Sequence, residues 1–304
     1  METRGRKGLA LAVAILAITA APAHAQERFD GVEIEATALG NGVHMLTGAG
    51  GNLGLSAGPD GVFLIDDQFA PLTEKILAAV AEIDGGPVRF IVNTHWHGDH
   101  TGGNEKMGEA GALLIAHDNV RVRMNSEQFN SLWDRHTPPS PAGALPVVTF
   151  NDNMTFHIND DEIRVLHVPH AHTDGDSMIH FREADVLHVG DVFFNGNYPF
   201  IDVDAGGSID GVISAVEIAL GLAGPKTRII PGHGPLSGRA ELAAYLEMLK
   251  TVRSRIEPYV RAGKSVEESR AEKPTADLDE KWGGGFINPD NIVRIVHDSL
   301  SSGN

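Results

Sequence analysis

An α/β fold in four layers, an αββα sandwich of two mixed sheets with helices outside, is what the pattern of this chain predicts. Short apolar runs bounded by Gly, Asn and Asp turns fall into two groups, one on each side of a Pro-rich stretch at 136–146. Each group is interrupted and closed by segments with helical apolar spacing. The periodicity by itself also admits a doubly wound sheet. What favours the sandwich is the residues at which the strands end.

In chain order, "GVHMLTG", "NLGLSAG" and "GVFLID" read as strands, and "PLTEKILAAVAEID" as a helix with Leu72, Ile76, Leu77 and Val80 on one face and Gly85-Gly86 as its stop. "VRFIVNTH" and "GALLIAH" are buried strands, and "DNVRVRMNSEQFN" is expected to be a helix capped by Asp118. Residues 136–146, "HTPPSPAGALP", are expected to be an irregular loop. Strands resume in "VVTF", "MTFHIN", "EIRVLHVP", "SMIHFRE" and "VLHVGD". "SIDGVISAVEIALGLAG" is a helix ending at Gly224-Pro225, "TRIIPGHG" a further strand, and helices follow near 239–262, 265–272 and in "NPDNIVRIVHDSL".

Residues 1–25 combine a basic head, a short apolar run and an Ala-x-Ala end, the layout of a secretory signal peptide cleaved after Ala25. The apolar run is shorter than the roughly 20 residues a spanning helix needs. Residues 26–304 are then expected to form one domain with a C-terminal helical segment, periplasmic or secreted from a bacterium, with no stable membrane anchor. Loss of the leader's three basic residues and one acidic residue takes the formal charge from −17 to −19. That balance argues against nucleic acid, whose phosphates need a positive footprint. The chain has no cysteine, which excludes disulfides, thiol nucleophiles and thiolate ligands. Any metal site must therefore use nitrogen and oxygen donors.

"NTHWHGDH" puts His95, His97, Asp99 and His100 into six positions at a strand end. His95 and His97 project to the same side of an extended backbone, and Gly98 lets the chain re-aim the next pair. Imidazole nitrogens and a carboxylate crowded together are what a cation such as Zn²⁺ binds. Three later strands end in the same way: "IRVLHVPHAH" at His170 and His172, "VLHVGD" at Asp191, and "TRIIPGHG" at His233. Loops leaving one sheet edge can assemble one site, and these donors suffice for two metals. His117 is expected to be structural or helix-capping; His157, His167, His180 and His188 alternate with apolar residues as strand-face positions.

"HWHGDH", "HTDGD", "GD" and "PGHG", in this order and at these distances, resemble the metallo-β-lactamase-fold superfamily over about residues 40–240. The resemblance implies the αββα sandwich. It also implies two Zn²⁺, with iron or manganese as alternatives: His95, His97 and His172 on the first metal, Asp99, His100 and His233 on the second, and Asp191 between them. The "HT.GD" pattern selects His172 over His170. Many β-lactamases of this fold have a cysteine at the position of Asp191; a carboxylate there is typical of the glyoxalase II and lactonase branches. The implied chemistry is hydrolysis of a small molecule by a hydroxide held between the metals, with Asp99 orienting it and carrying a proton to the leaving group.

Substrate follows less directly, because this fold serves many reactions. Export favours β-lactamase-type cleavage of a cyclic amide as the first expectation, with a lactone, ester or thioester hydrolase as the alternative. Phe193, Phe194, Asn195 and Tyr198 are expected on the pocket rim, and no lysine follows Asp191 to clamp a substrate carboxylate. A di-iron oxidoreductase is the remote alternative; such relatives usually replace a histidine of the first motif with glutamate, which this chain does not.

Overall fold

In the computed structural model, which describes residues 28–83 and 86–302, the backbone is built around two sheets. The first holds β1 (Glu35–Gly40), β2 (Val43–Thr47), β3 (Leu53–Ser56), β4 (Val62–Ile65), β5 (Val88–Val92), β6 (Leu113–His117) and β9 (Val148–Phe150), in that spatial order. β1 to β4 form an antiparallel meander, and β4, β5, β6 and β9 run parallel. A small hairpin, β7 (Gln128–Asn130) with β8 (Arg135–Thr137), stands apart. The second sheet is ordered β10 (Asn153–Ile158), β11 (Asp161–His167), β12 (Ser177–Phe181), β13 (Val186–His188) and β14 (Arg228–Ile230), with only the β13–β14 pair parallel.

The helices are α1 (Thr73–Ile83), α2 (Gly98–Thr101), α3 (Asn104–Glu109), α4 (Asp118–Met124), α5 (Ile209–Leu222), α6 (Arg239–Arg261), α7 (Val266–Ala271), α8 (Asp279–Trp282) and α9 (Pro289–Ser302). The period of two along the strands divides the core into layers. Phe63 and Ile65 of β4 point to the space between the sheets, where they meet Ile163, Val165, Ile179 and Phe181 of the second sheet. Val62 and Leu64 of the same strand point outward, onto Ile76 and Val80 of α1. Across the molecule, Leu187 and Ile229 pack outward among Val212 and Val216 of α5, Leu249 and Val252 of α6 and Ile292 and Val296 of α9. Helix, sheet, sheet, helix is the expected four-layer order.

Three local expectations change. The helix at 118–124 is capped by His117, whose side chain accepts from Asn119 N at 3.2 Å, so Asp118 is its first residue rather than its cap. That helix ends at Met124, and 128–130, expected as its continuation, instead pair with 135–137 as a hairpin. Residues 136 and 137 are accordingly strand, and only the remainder of the Pro-rich stretch is irregular, with a short 3₁₀ turn at Ala142–Ala144. The expected signal peptide, residues 1–25, lies outside the described residues.

The topology gathers the strand ends. β4 and β5 are parallel, so their C-terminal ends share an edge of the first sheet. β11 and β13 both run antiparallel to β12, and β14 parallels β13, so these three also end together.

Candidate metal centre

Four strands of that shared edge deliver seven side chains to one pocket. His95 and His97 follow β5, Asp99 and His100 lie in the short helix α2, His172 lies beyond the end of β11, Asp191 follows β13, and His233 follows β14. His95, His97, His172 and Asp191 form one group and Asp99, His100 and His233 a second; within each, ligand atoms lie within 4.8 Å of one another. The groups meet at Asp191. Its Oδ2 lies 3.8 Å from His95 Nε2 and 3.5 Å from His172 Nε2, and its Oδ1 lies 3.1 Å from His100 Nε2 and 3.4 Å from His233 Nε2. One carboxylate oxygen thus faces each group.

These atoms satisfy one another poorly. His95 Nε2, His100 Nε2 and Asp191 Oδ1 are buried without a hydrogen-bond partner among the described residues, and His172 Nε2 sits 2.9 Å from His97 Nδ1. Buried polar atoms are normally paired, so several orphans converging on one point call for a group that is absent from the protein itself. A cation suits the donors: all are nitrogen or carboxylate oxygen, with no thiolate.

Four of the five histidines are held from behind through the other nitrogen. His100 Nδ1 donates to Asp66 Oδ2 at 2.7 Å, His97 Nε2 to Asp202 Oδ2 at 2.9 Å, and His172 Nδ1 to the Phe200 carbonyl at 2.8 Å, while His95 Nδ1 lies 3.0 Å from Thr94 Oγ1. Such contacts fix the ring and, in the neutral imidazole, put the lone pair on the nitrogen that faces the pocket. Two glycines allow the close packing. A Cβ at Gly51 would overlap the His100 ring, and one at Gly232 would overlap Asp191 Oδ1.

The electrostatics divide the pocket. Burial, reinforced by neighbouring His100, holds His95 well below the ordinary imidazole range, and burial pushes His172 down to about 4. Both are therefore neutral donors at neutral pH. Burial alone would raise Asp191, but His233, His100 and His95 outweigh it and keep the carboxyl well below its usual range. Burial also opposes charge on His100 and His233; Asp191 is the largest opposing influence on each, so His100 lies well above the ordinary range and His233 at about 9. The second group is thus a place where carboxylates demand positive charge.

His170 is outside the centre, with Nδ1 3.0 Å from the Gly206 carbonyl. The expected rim is placed differently from the expectation. Phe193 is fully buried against Tyr245, and Tyr198 is buried with its hydroxyl donating to Asp279 Oδ1 at 2.8 Å, so both belong to the core beneath the loop. Phe194 is buried but stacks on the His233 ring at 5.1 Å, and Asn195 donates to the Pro235 carbonyl. Asp66, Asp202 and Thr94 were not singled out from sequence. Asp66 had a signal: like the ligands, it directly follows a strand of apolar residues, β4.

The chain matches the family model described as "Metallo-beta-lactamase superfamily" over residues 47–239, more than half its length. It is 33% identical over 124 residues to a hydroxyacylglutathione hydrolase of Rhodospirillum rubrum (41% of each chain), and 30% identical over 222 residues to that of Erythrobacter litoralis (67% of this chain, 77% of the relative). An acyl-coenzyme A thioesterase of Gallus gallus is 27% identical over 187 residues, covering 54% of this chain and 63% of the relative. The chain thus spans less than two thirds of the Rhodospirillum and Gallus proteins. A solved metallo-beta-lactamase from Pontibacter korlensis superposes with a TM-score of 0.58 at 21% identity, over 72% of this chain and 99% of that one, a likeness of fold.

Proposed function

The chain belongs to the metallo-beta-lactamase superfamily of metal-dependent hydrolases, and on that premise we propose that it cleaves thioesters or esters at a dinuclear zinc centre. The observation that carries this reading is the division of Asp191 between the two groups, one oxygen toward His95 and His172 and the other toward His100 and His233. His95, His97 and His172 would hold one cation, Asp99, His100 and His233 the other, and Asp191 both. When bound, such a pair of ions polarises a scissile carbonyl and brings the pKa of water toward 7.

The protein's own groups do the rest. Asp202, Asp66 and the Phe200 carbonyl keep three imidazoles in the donor orientation. Asp99 is 28% exposed, on the open side of the centre beside His233 at 3.3 Å. Its carboxylate would accept a proton from the attacking water and release it as the leaving group departs. A thiol, with a pKa of about 8.5, departs readily as the anion. The acyl-glutathione and acyl-coenzyme A relatives support the same ranking, which puts thioester or ester hydrolysis above the β-lactam cleavage expected first; likeness to lactamase structures concerns fold alone.

Zinc-loaded protein assayed against an acyl thioester, an aryl ester, a lactone and a chromogenic cephalosporin tests the reading. Thioester or ester should turn over with a kcat/KM at least about 100-fold above the cephalosporin, and a chelator should abolish it. A cephalosporin as best substrate would restore the lactamase reading.

A further inference from the structure

Two large exposed aromatic side chains meet on the surface, although some 150 residues separate them in sequence. Trp133, at the tip of the β7–β8 hairpin, is 39% exposed, and Phe286, in the "WGGGF" turn after α8, is 72% exposed. Their ring centroids are 5.0 Å apart with the planes tilted by 43°. Exposed aromatic surface of this kind is costly in water and marks a contact surface.

The pair is anchored on both sides of the centre. On the hairpin side, Trp133 N donates to Asn130 Oδ1, and Asn130 Nδ2 donates to Asp202 Oδ1 at 3.2 Å; the other oxygen of Asp202 receives His97. On the Phe286 side, Gly285 presses so closely on Asn197 that a Cβ there would collide with its side chain. Asn197 N in turn donates to the Phe194 carbonyl, and the Phe194 ring lies on His233. One leg therefore stands on the His97 side and the other on the His233 side.

We propose that Trp133 and Phe286 form an aromatic platform that receives the uncharged, apolar acyl group of the substrate. This deepens the hydrolase reading above and rests on it. The occupant follows from the charge of the supports: Asp204 accepts from Ser131 N beneath the hairpin tip, and Asp279 lies under the other leg, bonded to Tyr198. Each foot also carries a cation, Arg294 donating to the Ser131 carbonyl at 2.9 Å and Lys281 lying over the Trp282 ring, so charge is balanced on both sides and the apolar chain is the group the uncharged rings accommodate.

The test holds the leaving group constant and varies the acyl chain: p-nitrophenyl acetate against p-nitrophenyl octanoate, with zinc-loaded wild type, Trp133→Ala, Trp133→Phe and Phe286→Ala. Each alanine variant should lower the octanoyl-to-acetyl ratio of kcat/KM about tenfold, the scale of one lost aromatic contact, through KM. Acetyl turnover should stay within about twofold, and Trp133→Phe should retain the ratio. An unchanged ratio, or equal loss on both esters, overturns the proposal; so does a change of oligomeric state on sedimentation, which would assign the rings to contact between copies. Should wild type hydrolyse neither ester, the hydrolase reading fails on its own terms, and fluorescence decides the platform. 1-Octanol should saturably shift wild-type emission and leave the emission of Trp133→Phe unaffected; an identical shift in both refutes it.

Discussion

Replacing Asp66 with Asn should switch off one cation site while leaving its neighbour in place. Asp66 is fully buried and accepts three hydrogen bonds: Thr94 N on Oδ1 at 2.7 Å, and Thr94 Oγ1 and His100 Nδ1 on Oδ2 at 2.8 and 2.7 Å. An asparagine has the same shape but must keep its carbonyl toward the backbone N–H of Thr94, which can only donate. Its amide NH₂ then replaces Oδ2 and faces His100 Nδ1. The Thr94 hydroxyl can rotate to accept, but His100 can accept only by moving its proton to Nε2. That nitrogen is the one aimed at Asp191, so the donor lone pair is lost. Loss of such a supporting contact typically costs 10- to 100-fold in metal affinity, about 1.4–2.7 kcal/mol. Zinc titration against a chromophoric chelator should therefore show one of two sites weakened about 10- to 100-fold and the other within about threefold. Imidazole nitrogen NMR should report the changed tautomer of His100. Wild-type affinity at both sites, or equal weakening of both, would refute the reasoning.

The mirror-image variant Asp202→Asn removes the acceptor of His97 Nε2 and should weaken the other site by a similar factor, read in the same titration. Gly232→Ala sets a methyl against Asp191 Oδ1; a displacement of about 1 Å in such a group should reduce kcat about 100-fold, with correctly folded protein confirmed by circular dichroism. Tyr198→Phe deletes the bond to Asp279, so stability should fall by about 1–2 kcal/mol in denaturant melts while KM stays unchanged; a raised KM would return Tyr198 to the pocket. Mass spectrometry of protein exported from a bacterial host should find Gln26 as the first residue, and an intact leader on secreted protein would contradict the reading of residues 1–25.

Several of the residues that gather in the pocket were legible because they closely follow a strand: β5, β13 and β14 end within three residues of His95, Asp191 and His233, and strand ends of like direction share an edge. His172 needed the family pattern, since His170 has the same sequence context and only the backbone path turns it away, with φ of 53° placing its ring on Gly206. The supporting groups were less visible because their role is defined by a partner far along the chain; Asp202 meets His97 across 105 residues. Asn130 is likewise a loop residue until the hairpin brings it to Asp202. The aromatic run 193–198 misled because its composition suits a rim, whereas the turn at Gly190, with φ of 52°, sends Phe193 inward to Tyr245. β1 escaped notice as an edge strand whose residues are mostly exposed, so it lacks the apolar alternation that marks the others.

Anomalous X-ray diffraction at the zinc edge from zinc-loaded crystals tests the central claim most directly. Two peaks per chain about 3.5–4 Å apart, each contacted by a different oxygen of Asp191, are the predicted result; a single peak, or two peaks that leave Asp191 uncoordinated, would contradict it.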